Sequence, residues 1–82
     1  MGVMNEFKLL NEFKFLDQNG HTTTAWDPEN GEELERARSI YEALLRRGYR
    51  AFGIEEHGEA RALVRFDPSE TETLFVPPIQ GG

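Results

Sequence analysis

The sequence closes on Pro77-Pro78-Ile79-Gln80-Gly81-Gly82, directly after the strand-like run Leu74-Phe75-Val76. Two successive glycines make a thin, flexible peptide that can thread a slot closed to any side chain, because neither carries a Cβ. Its last atom group is a carboxylate. A carboxylate at neutral pH is a poor electrophile, so chemistry at this end requires a leaving group to be installed on it. A terminal pair with no role beyond fraying is the plain alternative. Pro77 and Pro78 hold the base of the tail extended, since proline fixes its own φ and restricts the residue before it. They also block further strand pairing, and ending the last strand is their simpler role. The four residues past Pro78 reach at most about 13 Å, at ~3.3 Å per residue. Ile79 and Gln80 then position the glycines, Ile79 being the tail's one apolar side chain beyond the prolines.

No other residues assemble into a catalytic or metal-binding pattern. The chain has no cysteine and two histidines, His21 and His57, both expected in turns. Without thiolates, and with Asp and Glu spread throughout, no metal site is expected. Glu55-Glu56-His57 reads as a solvated hairpin tip. Ser39 and Ser69 lack any nucleophile context. Asp27 and Asp67 each precede a proline, which is turn chemistry. Trp26 is expected in the core or at its rim. No glycine-rich phosphate loop is present.

Composition narrows the class. Eighty-two residues with 38% hydrophobic content support one small core. The net charge of -6 with no basic cluster argues against a nucleic-acid partner and suits docking on a basic protein surface. No apolar run approaches the ~20 residues that span a bilayer, and no leader peptide is visible. The absence of cysteine fits a reducing, cytoplasmic setting.

The elements that must position the tail follow from periodicity. Phe7, Leu9, Asn11, Phe13 and Phe15 alternate with Lys8, Leu10, Glu12, Lys14 and Leu16 in a first strand, within which Asn5-Glu6-Phe7-Lys8-Leu9-Leu10 is echoed by Asn11-Glu12-Phe13-Lys14-Phe15-Leu16. The echo reads as a duplication that lengthened a strand, as two available registers, or as an N-terminal extension. Asp17-Gln18-Asn19-Gly20 is a hairpin turn leading to the strand Thr22–Trp26. Leu34, Ala37, Ile40, Tyr41, Leu44 and Leu45 form one face of a helix. Its start is either Asp27 as cap with Pro28 in the first turn, or nearer Gly31. Gly48 ends it. Strands are expected over 49–55, 60–66 and 71–76. The order β-β-α-β-β-β predicts an α+β fold in which one helix packs on a mixed, curved sheet, a β-grasp. Residues 1–78 form its single domain and 79–82 the flexible tail. In the last strand Phe75 is expected to face inward, with Leu74 and Val76 partly exposed. Leu74, Val76, Phe75 and Leu63 are the candidate docking residues, Leu63 and Leu10 extending the apolar patch.

Element order, size and the tail Phe75-Val76-Pro77-Pro78-Ile79-Gln80-Gly81-Gly82 together resemble the ubiquitin-like β-grasp superfamily. The tail is most similar to that of the small subunit of molybdopterin synthase. Thiamin-biosynthesis sulfur carriers and bacterial ubiquitin-like modifiers share the fold and the diglycine. Val76 stands where those tails usually carry a second aromatic residue. The resemblance implies that a partner activating enzyme adenylates the Gly82 carboxylate with ATP, and that Gly81 gives the backbone freedom to enter that enzyme's site. The acyl-adenylate is then thiolated to a C-terminal thiocarboxylate or conjugated to a target. The chain would be a carrier, not an enzyme, with no bound cofactor, and its partners would include a synthase subunit or a conjugation target. The alternative is a non-covalent binding module or accessory subunit whose tail is dispensable.

Overall fold

Asparagine 30, not the Asp27-Pro28 pair, starts the helix. In the computed structural model, which describes residues 9–17 and 20–79, the Asn30 side chain accepts hydrogen bonds from the backbone N–H of Glu32 (3.0 Å) and Glu33 (3.1 Å). Those amides have no partner within the helix, so the cap is worth about 1 kcal/mol. Asp27 instead accepts from Glu29 N–H at 2.9 Å and shapes the preceding turn. The helix α1 runs Gly31–Arg46, with Glu32 and Glu33 at its start and Arg46 in its last turn, signs that match the helix dipole. Gly48 follows with φ +94°, a left-handed value that ends the helix cheaply only at glycine.

Ahead of the helix, β1 (Asn11–Asp17) and β2 (Gly20–Trp26) form an antiparallel hairpin with Asp17 opposite Gly20 and Asn11 opposite Trp26. Gly20, the first residue of β2, has φ +110°, a left-handed value that glycine adopts without a Cβ penalty. Gln18 and Asn19 lie outside the described residues, as does the expected strand start at Phe7. Leu9 and Leu10, also expected in that strand, precede β1 and are exposed. His21, expected in the turn, belongs to β2. After the helix come β3 (Arg50–Ile54), β4 (Ala60–Ala62) and β5 (Glu72–Val76).

The five strands make one mixed sheet in the order β2-β1-β5-β3-β4. β5 lies at its centre, parallel to β1 and antiparallel to β3. Alternation then decides each side chain's face. Phe13, Ala51, Thr73 and Phe75 are buried on the face covered by Ala37 and Tyr41 of α1. Phe75 is fully buried, with Phe13, Phe15 and Tyr41 rings at centroid distances of 5.0, 5.3 and 5.8 Å. Trp26 is part of this core.

The fourth strand is shorter than the alternation through Phe66 predicts. β4 stops at Ala62, opposite Phe52, and Leu63 N–H makes one last bond to Ala51 C=O at 2.9 Å. The chain then turns so that Phe66 can pack on Trp26 and Tyr41, each at 5.7 Å, with the Arg38 guanidinium 5.2 Å from its ring centre. Aromatic burial outweighs four more residues of edge pairing, and Val64 is left exposed. Beyond it, the nearly buried Glu70 carboxylate lies over Gly53 and pairs with Arg61, the residue opposite Gly53 on β4. Among the described residues no helix is long and apolar enough to cross a membrane.

Candidate functional site: the tail base and the open sheet face

The tail leaves from the middle of the sheet because β5 is the central strand. Pro77 and Pro78 are half-buried, whereas Ile79 is 95% exposed. Pro78 is seated at the end of the helix, where a Cβ on Gly48 would lie 3.4 Å from Pro78 Cβ. Gly48 is required by its φ at the helix end, and the Pro78 ring packs within van der Waals reach of it. Gln80, Gly81 and Gly82 lie outside the described residues.

Beside the exit lies an open groove of about 460 Å³, lined by Gly48, Arg50, Phe52, Val76, Pro77, Pro78 and Ile79. Arg50 stands opposite Val76, and Phe52 opposite Leu74. These residues face away from the helix. Ala62, opposite Phe52, continues an apolar row across β4, β3 and β5. On the other side of Leu74 stands Lys14, whose ammonium is 3.2 Å from the Glu72 carboxylate. The apolar row, bordered by the Lys14–Glu72 ion pair, thus lies beside the chain's exit at Pro77, Pro78 and Ile79. Arg46, Arg47 and Arg50, all exposed, flank Gly48 in sequence, so this end of an acidic chain is locally cationic.

The expected docking residues separate. Leu74 and Val76 are half-buried on the open face. Phe75 exposes nothing and is core, so it offers a partner no surface. Leu63 packs against the core margin, bordering a cavity of about 190 Å³ with Leu45 and Tyr49. It joins the helix to the sheet rather than extending the row at Leu74. Leu10 is exposed just before β1. Phe52, Arg50 and Gly48 are the site residues that sequence reasoning did not single out. Phe52 has the right alternation, but its place beside Leu74 depends on β3 pairing with β5, a contact across some twenty residues of chain.

Three titratable groups are shifted among the described residues. Asp67 accepts from Ser69 Oγ–H (2.6 Å) and Ser69 N–H (3.0 Å), and these bonds hold its carboxyl below the ordinary value of 3.8, with Arg61 adding to the effect. Burial, then the nearby Asp67 charge, raises the Tyr41 hydroxyl. Glu55, and then Glu70, raise Arg61, keeping it cationic. No group of three His, Cys, Asp or Glu side chains stands together to hold a metal among the described residues. His57 is exposed in the β3–β4 turn. No family model, curated protein or solved structure gives a significant match to the chain.

Proposed function

We propose that the chain is a ubiquitin-like carrier or modifier of the β-grasp type, and that its reacting atom is the carboxylate carbon of Gly82, either as encoded or as released by processing. A central strand that passes without a linker into two prolines and an outward-pointing Ile79, beside an open groove, is the observation that carries this reading. The mixed sheet with one helix on a single face supports the β-grasp assignment. A partner activating enzyme would bind the row Leu74, Phe52 and Val76 and draw Ile79, Gln80, Gly81 and Gly82 into its site. There the carboxylate oxygen attacks the α-phosphorus of ATP, pyrophosphate leaves, and the acyl-adenylate forms. A sulfur nucleophile or a target amine then attacks the carbonyl carbon and AMP departs. The chain itself supplies the acyl group and no catalytic side chain.

The test is mass spectrometry of an N-terminally tagged copy expressed in its native host, with the C-terminal tryptic peptide Phe66–Gly82 as the diagnostic fragment. A thiocarboxylate on Gly82, or that peptide joined to a lysine of another protein, is expected. Free acid alone, with the activating machinery present, would overturn the reading. Deleting Gly81 and Gly82 should abolish function without affecting folding. The second reading, a non-covalent binding module, is favoured by the apolar row on the open face and predicts a dispensable tail. Leu74→Asp and Val76→Asp disrupt docking under both readings, so the tail deletion separates them.

A further inference from the structure

We propose that the chain self-associates through β2, two copies pairing antiparallel about a two-fold axis at Thr23 to make one continuous sheet. β2 is one outer strand of the sheet, and along its seven residues it carries no Lys, Arg, Asp, Glu or Pro. Outer strands are normally guarded by such residues, by bulges or by shortness. The opposite edge is guarded in two of these ways: β4 has three residues, and Arg61 is its middle one. All of β2 from Gly20 to Ala25 is exposed.

Backbone direction shows what the free edge offers. Glu12 N–H bonds to Thr71 C=O at 2.9 Å, so the even-numbered amides of β1 point toward β5. The odd-numbered ones therefore point to β2, and Asn11, Phe13 and Phe15 stand opposite Trp26, Thr24 and Thr22. Trp26, Thr24 and Thr22 thus direct their backbone groups inward. His21, Thr23 and Ala25 direct theirs outward, each with one N–H and one C=O to satisfy.

This pattern is self-complementary about Thr23. Thr23 exchanges both bonds with its own copy, and His21 exchanges them with the partner's Ala25. Thr22 faces the partner's Thr24 in the intervening pairs, a favourable cross-strand match. No charge on β2 opposes its own copy. On the helix side the edge is bordered by Glu33 and Arg36, which line a small cavity with Thr24 and Ala25 and balance each other in sign. The tail base lies on the far side of β5 from this edge, beside β3 and the helix end, so a dimer leaves the proposed acyl-transfer end free.

The test combines analytical ultracentrifugation of the full chain with residue-resolved amide exchange over a concentration series. A dimer is expected, with the amides of His21, Thr23 and Ala25 gaining protection as concentration rises, while those of Thr22 and Thr24 are protected throughout. Thr23→Glu places a carboxylate opposite Lys14 within the monomer, which the hairpin tolerates, but sets two carboxylates against each other at the two-fold. It should weaken the dimer by about ten-fold or more, with an unchanged circular dichroism spectrum. A monomer at all concentrations overturns the proposal. So does a dimer in which the outward amides stay unprotected, or one insensitive to Thr23→Glu. These readouts do not involve the tail, so their failure is distinct from failure of the carrier reading.

Discussion

Replacing Phe75 with alanine tests whether the penultimate residue of β5 holds the fold or meets a partner. Phe75 has no exposed surface and touches three aromatic rings, one from the same face of β1, a second stacked at 11°, and one from the helix. Truncating a buried phenylalanine removes its transfer free energy and leaves a cavity, a loss of about 3–5 kcal/mol. A domain of this size has roughly 4–12 kcal/mol in total, at about 0.05–0.15 kcal/mol per residue. The variant should therefore lose about a quarter or more of the total, and at the lower end of that range it lies near its unfolding midpoint at ordinary temperature. At about 4–8 °C per kcal/mol, its Tm should fall by at least ~12 °C. Phe75→Leu retains most of the volume and should cost about half as much. Leu74→Ala, on the neighbouring half-buried face, should cost about 1–2 kcal/mol. Urea denaturation followed by circular dichroism measures all three. A loss under ~1 kcal/mol for Phe75→Ala, or a larger one for Leu74→Ala, would refute the inward assignment and return Phe75 to the docking surface.

Two further outcomes follow from the charged loop. Gly53→Ala should destabilise by about 1 kcal/mol, because its Cβ would fall 2.6 Å from Glu70 Cδ and displace a carboxylate pinned by Arg61. In a Glu70→Ala background the same change should be neutral or mildly stabilising, and equal costs in both backgrounds would refute the contact. Asp67 has a folded-state pKa below its unfolded value, so its contribution is present above the unfolded value and is lost as pH falls through the folded one. Ser69→Ala should lower stability at pH 7 by about 0.5 kcal/mol, the solvent-screened end of the hydrogen-bond range, and denaturation curves of variant and parent should converge in acid.

The local elements were legible because their signals are local. The apolar spacing from Leu34 to Leu45 marks the helix, and Gly48 its end. Asp17-Gln18-Asn19-Gly20 marks the hairpin, and alternation around Phe75 separates it from Leu74 and Val76. The helix start stays open in the sequence between Asp27-Pro28 and a point nearer Gly31, since the apolar spacing allows both. Only the backbone path, with the Asn30 side chain reaching two free amides, decides between them. The length of β4, Ala60–Ala62, is not legible in the sequence for a similar reason. Residues 60–66 alternate well enough for a longer strand, but Phe66 gains more by turning toward Trp26 and Tyr41 than by continuing along an edge.

By itself, the sequence determined the element types and their order and the inward place of Phe75, all properties of neighbouring residues and their periods. Tertiary structure alone decided which strand lies at the centre. Placing β5 between β1 and β3 brings Phe52 beside Leu74, seats Pro78 on Gly48, opens the groove at the tail base and leaves the uncharged β2 at the rim. Those are pairings between distant segments. Strand order depends on how five half-apolar strands and one helix jointly bury a single core, a choice that no stretch of the chain contains alone.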